Sequence, residues 1–231
     1  MAHHAIPNVT RDPLRASAAL VVLHIGPVSM SEPVYSERVN SVGLVILDNP
    51  PVNAFSLAQR VSLRDALIQA IEDDGVTAIV ITGGGRMFSA GADIKEFDSG
   101  VSSQSPTLPE LIELVENAPK PIVAAIHGNA MGGGCELALG CHGRVAAPGT
   151  KVGLPEVTLG IVPGAGGTQR MPRLIGIPAA LDMIVSGKPL AAEHAHKLGL
   201  IDELTDSVTS LVEAGVSLAC QLAESGDPIK T

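Results

Sequence analysis

The stretch Gly132-Gly133-Gly134-Cys135-Glu136-Leu137-Ala138-Leu139 follows the apolar run Ile122-Val123-Ala124-Ala125-Ile126. The run reads as a buried strand, and the residues after the glycines as a short helix. Glycines permit a sharp turn and let a ligand approach the main chain closely. A helix start leaves N–H groups unpaired and carries partial positive charge. Together these features make a donor site for an oxygen that carries or develops negative charge. Glu136 lies one turn inside it. By itself the pattern is ambiguous, because glycine is common at strand-to-helix turns and the helix dipole alone favours Glu in a first turn.

Upstream, Val42-Gly43-Leu44-Val45-Ile46-Leu47 reads as a strand stopped by Asp48-Asn49-Pro50-Pro51. Ser56 with Gln59 has the spacing of a capping box, and Leu63, Leu67, Ala70 and Ile71 then recur on one helical face. Ala78-Ile79-Val80-Ile81 is the next buried strand, ended by Gly83-Gly84-Gly85, and a loop runs from Arg86 to Lys95. Residues 98–107 are rich in Ser, Gly and Pro and read as a flexible loop. Thr107 with Glu110 caps a helix that reaches about Asn117, with Leu111, Leu114 and Val115 turned inward. Alternation of strand and helix argues for parallel strands with helical crossovers. Continuous apolar strands argue for a sheet covered on both faces.

Downstream, Arg144-Val145-Ala146 and Val152-Gly153-Leu154 are strand-like, and residues 160–170 form a second glycine-rich loop. From Pro178 onward the pattern is helical, over 178–186, 190–198 closed by Gly199, and about 207–223. The strand-rich part is thus expected to give way to an all-helical tail.

The chain has 231 residues, enough for one or two domains with a sizeable core. Hydrophobic residues make up 45%, which places it among globular chains, and aromatics only 2%, so Val, Ile, Leu and Ala must build the core. A net charge of −9 argues against general nucleic-acid or anionic-membrane binding. It leaves room for an anionic ligand held by a local basic patch. No apolar run approaches the ~20 residues of a membrane-spanning helix. Arg11, Arg15 and the run 18–23 raise the question of a targeting segment, but no cleavage pattern follows. Cys135, Cys141 and Cys220 lack CxxC spacing and read as reduced thiols of a cytoplasmic protein. His194 and His196, two apart on a helix, face different ways, which argues against a shared metal ion. No Gly-x-Gly-x-x-Gly follows a strand and there is no P-loop, so neither NAD nor ATP is expected.

Three pieces carry the chemistry when taken together: Ser89-Ala90-Gly91-Ala92-Asp93, the triple glycine with Glu136, and Leu154-Pro155-Glu156-Val157. Small residues in the first two would let two backbone N–H groups converge on one oxygen. The two glutamates suit paired work, one donating a proton while the other positions water. Each piece also has a plain structural reading: Asp93 as a turn cap, and Pro155-Glu156 as a helix start.

In this order the pieces resemble the signatures of the enoyl-CoA hydratase/isomerase (crotonase) family. The residues that carry the resemblance are Phe88 to Lys95, Gly128 to Ala138, and Val152 to Val157 with Gly164 to Arg170. It runs from about Ser36 to Leu204 and is nearest to the hydratase/isomerase portion of multifunctional β-oxidation enzymes. It implies an α/β fold, a crotonase-like (ClpP/crotonase) spiral of β-β-α units with a C-terminal helical region. The expected layout is a flexible N-terminal extension over 1–35, a spiral core with the active site over 36–190, and a shortened helical region over 191–231.

The implied activity is hydration of 2-trans-enoyl-CoA to 3-hydroxyacyl-CoA in fatty-acid β-oxidation. The alternatives are Δ3-Δ2-enoyl-CoA isomerisation or another acyl-CoA reaction in the same site, and, from another class, a non-catalytic or RNA-binding protein of this fold. By resemblance the amides of Ala92 and Gly133 form an oxyanion hole for an acyl-CoA thioester. Glu136 positions and activates water, and Glu156 exchanges the proton at C2. Ala90, Gly91, Ala92, Asp93, Ile94 and Lys95 line the CoA path, with Lys95 toward the phosphates. No cofactor beyond the CoA of the substrate, and no metal, is implied. The expected partners are the acyl-CoA substrate and copies of the same chain, in a trimer or hexamer, with no nucleic acid and no membrane.

Overall fold

The computed structural model describes residues 22–24 and 33–225. Strand β1 (Val22–His24) pairs antiparallel with β2 (Val34–Val39), which pairs antiparallel with β3 (Val42–Leu47). The rest of the N-terminal extension, and with it most of the flexibility expected there, lies outside the described residues. Helix α1 (Leu57–Glu72) leads into β4 (Ala78–Gly83), and α2 (Leu108–Glu116) into β5 (Ile122–Ile126). Short β6 (Asn129–Met131) precedes α3 (Gly133–Gly140), and β7 (Gly143–Ala146) and β8 (Lys151–Gly153) follow. Then come α4 (Gly167–Ile175), α5 (Ile177–Ser186), β9 (Leu190–Ala191), α6 (Ala192–Lys197), β10 (Glu203–Leu204) and α7 (Leu211–Ser225).

The main sheet has seven strands in the order β1-β2-β3-β4-β5-β7-β10, parallel from β3 onward. A second sheet of three strands, β6-β8-β9, stands apart from it. The chain thus leaves the main sheet after β5, makes β6 and α3, and returns as β7. This excursion delivers the triple glycine to the rim between the sheets.

The apolar strands split their side chains between two layers, as the period of two requires. Val45, Leu47, Ile79, Ile81, Ile122, Ala124 and Ile126 pack with Leu63 and Leu67 of α1, Leu111 and Ile112 of α2, and Leu137 of α3. Leu44, Ile46, Val80, Val123, Ala125 and Val145 pack under Leu211, Val212 and Ala219 of α7. Helix α7 therefore closes the second face of the sheet.

Both expected helix caps form, one of them by half. Thr107 Oγ1 accepts from Glu110 N and the Glu110 carboxylate accepts from Thr107 N, a complete box. Ser56 Oγ accepts from Gln59 N, but the Gln59 side chain is buried and returns no bond.

Two expectations need correction. The tail is not all-helical: β9 and β10 interrupt it, and β10 extends the main sheet beside β7. Two-residue strands leave no alternation to read, so only tertiary pairing makes them visible. The stretch 98–107 is not a free loop. It begins at the end of a 3-10 turn (Ile94–Ser99) and contains another (Val101–Ser103), and the buried Arg60 donates to the carbonyls of Val101, Gln104 and Pro106.

Candidate active site

The segment 88–92 runs beside β6 through a parallel bridge between Ser89 and Ala130. Phe88 N donates to His127 O, Ser89 N to Asn129 O and Met131 N to Ser89 O. On its other side, Phe55 N donates to Gly91 O and Asp93 N to Phe55 O. That pairing uses the neighbours of Ala92 and leaves its own N–H pointing away from Phe55, toward the start of α3. Gly91 sits at φ +95° and Gly132 at φ +52°, backbone that side-chain-bearing residues rarely adopt. A Cβ on Gly91 would lie 2.9 Å from Gly133 N, and one on Gly133 would lie 3.4 Å from Ala92 N. The two nitrogens are thus neighbours. Among the described residues neither N–H has a hydrogen-bond acceptor.

Asn53 and Arg144, outside the three signatures, and Ser89, inside the first, hold this geometry. Asn53, at φ +53°, donates through Nδ2 to the carbonyls of Gly84 (3.0 Å), Met87 (2.8 Å) and Phe88 (3.1 Å). Ser89 Oγ donates to Asn53 O and accepts from Gly91 N. Helix α3 is buried along its whole length, and Gly134 lets it press against Ser89, where a Cβ would sit 2.7 Å from Ser89 O. At its other end the buried guanidinium of Arg144 donates to the carbonyls of Ala138 and Cys141, and also to Leu200 O. A cation on the last carbonyls of a helix satisfies orphan acceptors and complements the dipole.

Both glutamates are buried beside these amides. Glu136 is 3% exposed, and its Oε1 accepts from Ala165 N and Gly167 N, both at 2.8 Å. Burial pushes its pKa up, while the two amides and the nearby Arg170 guanidinium oppose the rise. Glu156 begins a single 3-10 turn, Glu156–Leu159, after Pro155. Its Oε1 lies 3.2 Å from where a Gly132 Cβ would stand, and its Oε2 is buried with no protein partner. Burial, aided by the Glu136 charge, raises its pKa to about 7 against its own amide's opposing bond. A carboxyl near 7 with an unused oxygen can hold a proton and pass it on at neutral pH.

Asp93 caps the 3-10 turn at Ile94, its Oδ1 accepting from Lys95 N, so its plain structural reading holds. Ala90, Ile94 and Lys95 are exposed beside the amides. His196 Nδ1 bonds Ile201 O, a local tie within the turn that ends α6. No group of three or more His, Cys, Asp or Glu suited to a metal ion occurs among the described residues.

Sequence reading missed Asn53, Arg144 and the amides of Ala165 and Gly167. The first two had no visible signal: Asn53 holds backbone carbonyls far along the chain, and Arg144 ties the end of α3 to the equally distant Leu200 O. For the amides the glycine-rich run 164–167 was a cue to a loop but not to what it holds.

The model of the enoyl-CoA hydratase/isomerase family matches residues 37–230. A probable enoyl-CoA hydratase of Bacillus subtilis is 46% identical over 188 residues, covering 79% of this chain and 73% of its own length. The peroxisomal bifunctional enzyme of Danio rerio is 48% identical over 191 residues, covering 83% of this chain. This chain spans only 26% of that larger protein. The crystal structure of an enoyl-CoA hydratase from Bacillus anthracis superposes with a TM-score of 0.77 at 36% identity, over 83% of this chain and 76% of that one. The family match reaches from within β2 to past the end of α7, and the chain belongs to the enoyl-CoA hydratase/isomerase family.

Proposed function

We propose that the protein is an enoyl-CoA hydratase that adds water to 2-trans-enoyl-CoA to give 3-hydroxyacyl-CoA in fatty-acid β-oxidation. The observation that carries this reading is the pair of buried carboxyls, both raised in pKa, set against two neighbouring amides with no acceptor of their own. The thioester carbonyl would sit between the N–H groups of Ala92 and Gly133. Glu136, as carboxylate, takes a proton from water as its oxygen bonds to C3. The electron pair of the double bond moves toward the carbonyl oxygen, where the two amides stabilise the enolate-like charge. Each such donor contributes on the order of ~3 kcal/mol. Glu156 then gives its proton to C2. Atoms and charges balance with water as the sole co-reactant, so no cofactor is required. The CoA portion would leave along Ala90, Gly91, Ala92, Asp93, Ile94 and Lys95, with the Lys95 ammonium toward the phosphates.

An isomerase reading has one specific support. Glu156 alone, near pKa 7 with a free oxygen, could carry a proton between two carbons of a 3-enoyl thioester. The amide clamp on Glu136 favours hydration, since it orients a second carboxylate that isomerisation does not need. Against a non-catalytic or nucleic-acid-binding role stand the charge of −9 and the cost of burying two carboxyls without use.

We place the protein in the reducing cytoplasm, in keeping with its three free cysteines. Among the described residues no helix is long and apolar enough to cross a membrane. A homo-oligomer, trimer or hexamer, is our reading, and the apolar residues Ile177, Leu181 and Val185, exposed at successive turns of α5, support association between copies.

The deciding assay is loss of crotonyl-CoA absorbance with product identification from both 2-enoyl and 3-enoyl substrates. 3-Hydroxyacyl-CoA from the 2-enoyl substrate is the expected result. Glu136→Gln should abolish hydration while leaving CoA binding intact. Undiminished turnover in that variant would rule out the role given to Glu136.

A further inference from the structure

Glu136 is held by the turn Ala165-Gly166-Gly167, and that turn is itself held from outside. Arg170, in the first turn of α4, spreads its guanidinium over it. Its Nη1 donates to Ala165 O at 3.1 Å, and a Cβ on Gly166 would collide with the same nitrogen. The rest of the fork is spent on one carboxylate. Nε donates to Glu116 Oε1 at 3.1 Å and Nη2 to Glu116 Oε2. Glu116 ends α2, and its backbone carbonyl bonds His142 Nε2 at 3.2 Å. His142 Nδ1 accepts from Ile122 N at 2.8 Å, so Nε2 carries the proton, and the end of α2 is tied to the first residue of β5.

We propose that Arg170, fixed by Glu116, is a positioning residue that sets the aim of the Glu136 carboxylate through the Ala165–Gly167 turn. The proposal rests on the reading that Glu136 handles the attacking water. A single guanidinium makes a bidentate ion pair and a bond to the turn at once, which its planar fork permits and an ammonium does not. Two further observations point the same way. Both amides of the turn converge on one oxygen, Oε1, so a small shift of the turn rotates the carboxyl. The guanidinium also lies close enough to favour the charged form of Glu136. As a mere surface ion pair, Arg170–Glu116 would add little stability and leave turnover untouched.

The test compares Arg170→Gln, Arg170→Lys and Glu116→Gln in the full chain, with kcat, KM for crotonyl-CoA and the thermal midpoint measured for each. Arg170→Gln should lower kcat by about tenfold to a hundredfold with KM within about threefold, since misaiming a catalytic group costs the chemical step and not binding. Arg170→Lys should recover only part of the loss, because one ammonium cannot serve Glu116 and Ala165 O together. Wild-type kcat in a folded Arg170→Gln overturns the proposal. If that variant does not fold, Glu116→Gln decides: a lower kcat at unchanged KM supports it, and an unchanged kcat overturns it. Glu136→Gln, run in parallel, separates the two readings. If it keeps its turnover, the role of Glu136 fails. If it is inactive while Arg170→Gln matches wild type, only the positioning role fails.

Discussion

Glu156 shows how burial becomes chemistry. Its oxygen has no protein partner, so losing the proton leaves an uncompensated charge, and the pKa climbs from 4.5 to about 7. On the proposed mechanism the hydration rate should therefore fall as pH rises through about 7, where Glu156 loses the proton assigned to C2. Glu136 and Glu156 interact, so the measured limb belongs to the pair. Glu156→Gln should remove that limb along with most of the activity, as a pH–rate profile would reveal. Stability follows the same sign. Between pH 4.5 and about 7 the unfolded chain releases this proton before the native one does, so stability falls across that window and levels off above it. Denaturant midpoints at pH 4.5 and pH 8 should differ less in Glu156→Gln than in wild type. Gly91 gives a steric counterpart. At φ +95°, with Met131 O only 2.7 Å and Gly133 N 2.9 Å from any added Cβ, Gly91→Ala must spread the two amides apart. We expect its kcat to drop by about a hundredfold or more, read in the crotonyl-CoA assay.

At the scale of elements, helix α3 is held by what meets its two ends. Gly134 lets its first turn lie against Ser89, and Arg144 closes its last turn. Arg144→Met would strand the buried carbonyls of Cys141 and Leu200, which a charged donor now satisfies, while Ala138 O keeps its bond from Cys141 N. We expect a loss of about 3 kcal/mol, measured by denaturant unfolding, because stranded buried acceptors cost more than a typical bond returns. The 84–91 loop depends in the same way on Asn53, whose amide spans three carbonyls. Asn53→Ala should cost about 1–3 kcal/mol by the same measurement, and should also lower kcat, since the carbonyls of Gly84, Met87 and Phe88 lose the donor that fixes the loop leading to Gly91. Helix α1 shows the ordinary case beside these. Leu63 and Leu67 are fully buried, and each contributes roughly 2 kcal/mol by burial with no link to the site.

For the whole molecule, the parallel sheet is stable only because both faces are covered, by α1, α2 and α3 on one side and by α7 on the other. The apolar ridge of α5 is left exposed, with Leu181 at 57% and Ile177 at 71%. If copies associate there, Leu181→Asp should reduce the native mass in solution toward that of one chain while leaving secondary structure intact, as light scattering and circular dichroism would report. Strands β3, β4 and β5, the caps at Ser56 and Thr107 and the glycine turn before Glu136 were legible because each depends on residues close in sequence: a period, a cap, a small side chain. Arg60, Asn53, Arg144 and Arg170 were not, since each acts on backbone or carboxylate oxygens far away along the chain. Local spacing by itself determined the alternating α/β plan and the two glutamates, because hydrophobic periodicity and turn chemistry are short-range. Only the tertiary structure decided that Ala92 and Gly133 are neighbours, that Glu156 keeps an unpaired oxygen and that β10 joins the sheet. Those outcomes follow from which distant surfaces meet and exclude water, and no stretch of sequence carries that information alone.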